Sequence, residues 1–173
     1  MFICKSITHR SEGLFMTSRA QLMDEFAYLL TFVDSLRQLD DAGWTAPLAA
    51  GKWSTRDVVA HIMLWDKYFL EEAIAPIAAH HPLTLKHLDF DAFNRNAVEY
   101  AKTKDKTALI ELTIRYRGEI LERLRTLSDE EWVEVHQDGD GHPFAVDHYV
   151  PDFIAHDGHH IKQLQAFLHT YSA

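Results

Sequence analysis

Asp152-Phe-Ile-Ala-His156-Asp-Gly-His159-His160-Ile-Lys-Gln-Leu-Gln-Ala-Phe167, near the end of the chain, is the stretch on which the fold turns. Wound as a helix at roughly 100° per residue, it gathers Val150, Phe153, Ile161, Leu164 and Leu168 into one apolar arc. His156, His160 and Gln163 lie along the edge of that arc. The two imidazoles are one turn apart and point the same way, which is how a helix offers a pair of ligands to a single ion. His159 and Lys162 fall on the opposite side, toward water. Asp157 falls inside the apolar arc, as an acceptor behind the imidazoles, as a buried ion-pair partner, or as a carboxylate leaning out to solvent. In a chain with 12 histidines such a pair is only a moderate signal, and a third histidine gives it weight.

That third histidine lies in Gly51-Lys-Trp-Ser54-Thr-Arg-Asp57-Val-Val-Ala-His61-Ile-Met-Leu-Trp65-Asp-Lys-Tyr-Phe69. Ser54 followed three residues later by Asp57 has the form of a capping box, so His61 sits inside a helix. Val58, Ile62, Trp65, Phe69 and Ala73 form its apolar stripe, and His61 again borders it. Proline removes a backbone donor and clashes with the preceding turn, so this helix is expected to fail near Pro76.

Working outward, Met1 to Phe15 shows little periodicity and lacks the apolar core of a secretory signal. Residues 1–15 are expected to be an N-terminal extension, disordered or the product of a misplaced start, with the domain covering 16–173. A first amphipathic helix, capped by Thr17 or Ser18, carries Leu22, Phe26, Leu29, Val33 and Leu36 and runs to about Leu39. Asp40 to Gly43 should end it, and Trp44 to Lys52 reads as a loop. His80-His81-Pro82 reads as a connection with solvent-facing imidazoles. Asp89 to Lys102 is a short helix, and Lys104-Asp105 caps a long one that ends at Leu127. Leu109, Leu112, Tyr116, Ile120 and Leu124 hold one face of that long helix. Its charges, Glu111, Arg115, Arg117, Glu119, Glu122 and Arg123, mostly fall away from that face and need no functional reading. Ser128 to Trp132 repeats the capping-box pattern and opens a single turn. His136 to Pro143 has turn chemistry rather than a calcium loop, and His136 and His142 are reserve ligands only. Asp147 is expected to cap the last helix, with Pro151 in its first turn.

Four amphipathic helices, two of them carrying marginal histidines, define an all-α fold, a four-helix bundle with short extra helices in its connections. With 173 residues the chain suffices for one domain with its own core. A net charge of -9 and the lack of a basic stripe argue against nucleic acid as partner. The single cysteine, Cys4, excludes an internal disulfide, and no apolar run approaches the roughly 20 residues of a membrane span. A reduced, cytoplasmic protein is expected.

Trp53-Ser54-x-x-Asp57-Val-x-x-His61-x-x-x-Trp65, followed by His156-x-x-x-His160-x-x-Gln163, resembles the DinB-like four-helix-bundle superfamily, and within it the YfiT-like group of metal-dependent hydrolases. The resemblance runs from about Thr17 to Tyr171 and includes Phe93-Asn94 and Ser128 to Trp132. It implies a divalent metal, zinc or nickel, held by His61, His156 and His160, and it makes a homodimer the expected assembly. It also brings in transferases and isomerases that use low-molecular-weight thiols, without marking any thiol here.

Three neutral imidazoles leave a divalent ion with an open position, the pattern of catalytic rather than structural zinc. Water or a thiol in that position becomes nucleophilic near neutral pH. A small electrophilic substrate would then be selected by a pocket near Trp65, Tyr68, Phe93 and Asn94. No HExxH, GxSxG or further cysteine supplies another catalytic group, so the metal carries the reaction if there is one. The competing reading is a non-catalytic stress-response or ligand-binding protein whose metal stabilises the bundle.

Overall fold

The computed structural model describes residues 17–171; the expected extension at 1–15 lies outside the described residues. Helix α1 (Arg19–Ser35) opens on a capping box, the Ser18 hydroxyl accepting from the Gln21 N–H and the Gln21 side chain accepting from the Ser18 N–H. A 3-10 turn carries it to Gln38. Asp40 does not simply end this helix, because its carboxylate caps a further short helix, α2 (Asp41–Thr45), which buries Gly43 and Trp44. A Cβ on Gly43 would come within 2.7 Å of the Leu39 and Tyr171 side chains, so any larger residue would have to push them aside where the last helix closes over this turn.

Helix α3 (Thr55–Phe69) begins at the predicted capping box, with Ser54 N–H donating to Asp57 Oδ2 at 3.0 Å and Asp57 N–H donating to Ser54 Oγ at 3.3 Å. It ends near Pro76 as expected, but it first runs through the proline to Ala78. Leu70–Ile74 winds as a π turn, the Ala75 N–H bonds the Leu70 carbonyl, and α4 (Ala75–Ala78) continues through the proline. The Glu72 carbonyl, which loses its intrahelical donor to Pro76, accepts instead from the Thr84 and Leu85 amides, each at 3.1 Å. The unmatched carbonyl thus ties down the following connection.

After α5 (Phe90–Ala101), capped by Asp89, and α6 (Lys106–Thr126), capped by Asp105, the chain makes the expected single turn α7 (Asp129–Val133). His136–Gln137 (β1) and Pro143–Phe144 (β2) then pair antiparallel. The turn between them is organised by Asp138 Oδ1, which accepts from the Asp140 and His142 amides. Helix α8 (Val146–Tyr171) starts two residues earlier than predicted. The Ala145 carbonyl accepts from His148 and Tyr149, so Asp147 lies in the first helical turn rather than at the cap, and Pro151 is inside the helix. No described helix is long and apolar enough to cross a membrane.

Helices α1, α3, α6 and α8 form a four-helix bundle in which α6 packs on α1 and α3, and α8 packs on α1 and touches α3. Its apolar interior is split in two. One cluster holds Phe26, Trp65, Ile74, Ile120, Leu124 and Val150; the other holds Leu29, Val33, Ile62, Leu109, Ile161 and Leu164. Where these two sets meet lie three buried charges, Asp66 on α3, Arg117 on α6 and Asp157 on α8.

Candidate metal centre

The capping box fixes where α3 begins, and with it the direction of His61, which is 5% exposed. From α8, His156 and His160 approach the same point. One ligand atom from each of the three lies within 4.8 Å of the others, and among the described residues this is the one such group of three. His61 Nε2 and His156 Nε2 are 3.0 Å apart. The reserve candidates His136 and His142 are not part of this cluster, one lying on β1 and the other in the turn after it.

The backs of the rings decide what the cluster can hold. His156 Nδ1 faces Asp157 Oδ1 at 3.4 Å, and His160 Nδ1 faces Gln163 Oε1 at 3.2 Å. The Gln163 amide nitrogen meets His159 Nε2 at 3.1 Å, which turns its oxygen toward His160. His61 Nδ1 and Asn94 Oδ1 are both buried without a hydrogen-bond partner. The Asn94 side chain is a neighbour of the His61 ring, so each is available as the other's partner. The oxygens behind Nδ1 of His156 and His160 place the proton there and leave those Nε2 lone pairs free, and a small turn of Asn94 would do the same for His61.

Electrostatics agree with that assignment. Burial, followed by the neighbouring His160 and His156, pushes His61 down to about 3. Burial, followed by His156 and His159, pushes His160 down to about 4. Both rings are therefore neutral near pH 7. Two Nε2 lone pairs 3.0 Å apart repel unless a cation lies between them, so the donor set fits a divalent ion of the kind that imidazole favours.

Behind the imidazoles stands a group the sequence reading missed. Arg117, fully buried, donates from Nε and Nη2 to the two oxygens of Asp66 at 3.0 and 2.8 Å. Its Nη1 donates to Asp157 Oδ2 at 2.6 Å and to the Phe26 carbonyl at 3.1 Å. One guanidinium therefore binds all three other helices of the bundle, and it sits 3.8 Å from the centre of the Phe26 ring. Burial pushes the Asp66 carboxyl up to about 6 against the pull of Arg117. Burial also acts on Asp157, but Arg117 and His156 outweigh it and hold that carboxyl below its ordinary value. Asp157 is thus both the buried ion-pair partner and the acceptor behind His156.

Of the residues expected to line a pocket, Trp65 and Phe93 stack with ring centres 4.1 Å apart, and Tyr68 packs on both while its hydroxyl donates to the Lys86 carbonyl. Asn94 lines a cavity of about 510 Å³ together with Trp53, Asp91, Arg95, Val98 and Glu99. The Trp53 ring is 5.0 Å from that of His61, which puts this cavity beside the histidine cluster.

A sequence profile of the DinB superfamily matches residues 21–164. The chain belongs to the DinB superfamily. Its fold is similar to that of YfiT from Bacillus subtilis, described as a probable metal-dependent hydrolase with an unusual four-helix bundle topology. That likeness has a TM-score of 0.74 and 16% identity, and covers 95% of this chain and 94% of that one. A mycothiol-dependent maleylpyruvate isomerase shares the fold at a TM-score of 0.59 and 12% identity, over 84% of this chain and 57% of that one. No curated protein matches the chain by sequence.

Proposed function

We propose that this DinB superfamily member is a metal-dependent enzyme in which His61, His156 and His160 hold one divalent ion, zinc or nickel, beside the Trp53–Asn94 cavity. The observation that carries this reading is the convergence of three imidazoles, with no fourth described His, Cys, Asp or Glu in the cluster. A structural zinc site is closed by four protein ligands, whereas three leave room for a small molecule. An ion bound there supplies Lewis acidity, which makes water or a small thiol nucleophilic near neutral pH. The two fold relatives, one described as a hydrolase and one as thiol-dependent, correspond to those two nucleophiles.

The protein's own groups do the rest. Asp157 and Gln163 hold the ring protons at Nδ1 of His156 and His160 and so fix the direction of their Nε2 atoms, and Asn94 is placed to do the same for His61. Arg117 holds Asp157 in place. Trp53 covers His61 on the cavity side and limits water there, while Asp91 and Glu99 on the cavity wall are carboxylates able to take the proton released by the attacking water or thiol. The reaction class is attack of that nucleophile on a small electrophile, by hydrolysis or S-transfer.

Cobalt substitution tests the open position. Adding a low-molecular-weight thiol or a hydroxamate to the cobalt form should shift its visible absorption band and raise its melting temperature, with neither effect in the metal-free protein. A band that ignores both ligands would leave a bundle stabilised by metal, without catalysis.

A further inference from the structure

At the other end of α3 and its continuation, a recess of about 210 Å³ is lined by Ile77, His80, His81, Glu131, Glu134 and His136. His61 and His80 are 19 residues apart on a nearly continuous helix, roughly 25–30 Å by helical rise, so the recess is separate from the three-histidine cluster. It brings three imidazoles and two carboxylates together from three segments: the end of α4, the turn α7, and β1.

Three features set these side chains apart from ordinary surface polar residues. The first is the backbone at His80, which has φ 54. His80 N–H bonds the Ile77 carbonyl at 3.0 Å and His81 N–H bonds the Pro76 carbonyl at 2.9 Å, which closes α4 with a left-handed residue where glycine is the unstrained choice. The imidazole is kept there in spite of its Cβ. The second is Glu131, whose Oε2 accepts from the Ser128 N–H in the capping box of α7. Its Oε1 is thereby turned toward His80 Nδ1, 3.5 Å away. The third is His136, whose Nε2 is buried and has no hydrogen-bond partner among the described residues. Glu134 Oε2 stands 4.0 Å from it.

We propose that this recess is a second, independent binding site for a divalent transition-metal ion, held by His80, Glu131 and His136, with His81 and Glu134 within reach as further ligands. The class of ion follows from the donors. Imidazole nitrogen with one or two carboxylates suits zinc, copper or nickel, whereas calcium and magnesium take oxygen ligands throughout. Two carboxylates beside the imidazoles also supply the charge that a divalent ion needs. Glu131 is fixed by its capping box, while His80 and His81 are exposed and free to turn onto the ion. Among the described residues only the first cluster already stands at coordinating distance, so this site forms as the ion enters and is the weaker of the two.

Calorimetric titration of the metal-free full chain with zinc tests this, and it does so separately from the proposed enzyme site. The wild-type chain should take up two ions, and a His61→Ala/His156→Ala variant should keep the weaker one alone. A His80→Gly/His136→Gln variant should keep the tighter one and weaken the other by more than about tenfold, since loss of even an outer-sphere partner has an effect of that size. Glycine relieves the left-handed backbone, so this variant should melt no lower than wild type unless the glutamine loosens the hairpin. In that event His80→Gly/His81→Gln, which leaves the hairpin intact, must show the same loss. A second ion bound equally well by wild type and either of these variants, or no second ion in the wild type, would overturn the proposal.

Discussion

Arg117 Nη1 and Asp157 Oδ2 lie 2.6 Å apart in the interior of the bundle, and the other oxygen of the same carboxylate faces His156. The charge that ties the four helices together is therefore one residue removed from the candidate metal centre. A guanidinium can do this because its planar fork donates four hydrogen bonds to two carboxylates and a carbonyl, one more than an ammonium has to give.

Replacing Arg117 by Met should leave Asp66 and Asp157 buried without their cation. Breaking a buried pair from one side costs about 3–5 kcal/mol, and chemical denaturation at pH 7 should show a loss of that order. Arg117→Lys should recover only part of it. The deficit should shrink at lower pH, where the abandoned carboxylates protonate. A loss below about 1 kcal/mol for Arg117→Met would mean that the network contributes little, as most solvent-exposed pairs do.

The same network shows what could be read from the sequence and what could not. The bundle and two of its three capping boxes follow from local patterns, helical period and cap spacing, whereas the meeting of His61 with His156 and His160 is implied by the family resemblance and the Ser18–Gln21 box is not foreseen. Asp157 is visible as a charge inside an apolar arc. Asp66 and Arg117 satisfy the same criterion, Asp66 standing four residues after Ile62 and three before Phe69, Arg117 three before Ile120 and seven before Leu124. On α6, however, Arg117 is surrounded in sequence by charges that do face water, and only the tertiary arrangement distinguishes it from Arg115. The run through Pro76 was illegible for a similar reason. The donors that satisfy the Glu72 carbonyl come from Thr84 and Leu85, beyond any helical spacing. Trp53 is quoted in the motif, but its contact with His61 depends on the loop folding back through the Leu48–Trp53 hydrogen bond.

Two histidines of α8 three residues apart, His156 and His159, should differ sharply when removed. His156→Ala deletes a proposed ligand and should abolish retention of the tightly bound ion, measured by elemental analysis after dialysis. His159→Ala should keep it, because His159 acts only by orienting Gln163. It should still weaken the affinity somewhat by freeing Gln163 to leave His160, and Gln163→Ala should do the same. Equal metal content in the His156→Ala and His159→Ala proteins would sink the assignment of His156 as a ligand.

The metal-free protein should lose stability on the acid side of neutrality, in a window set by the buried imidazoles. His61 and His160 are pushed down to about 3 and about 4, whereas an unfolded histidine titrates near 6.5. Below pH 6.5 the unfolded chain therefore binds protons that the folded chain refuses. The stability contributed by these neutral rings is complete above that pH and drains away as pH falls through 6 and 5 toward 4. Asp66 acts in the opposite direction, since a carboxyl raised to about 6 favours the folded state as it protonates, so the net slope is the histidine effect reduced by one group. His61→Leu keeps an apolar side chain of adequate size at a 5% exposed position and removes one of the refused protons. Melting temperatures of the two chelator-treated proteins between pH 7.5 and 5 should show a visibly flatter dependence for the variant. Parallel curves would mean that His61 is not held neutral by its surroundings, and with that the argument for a free Nε2 lone pair at this position would fail.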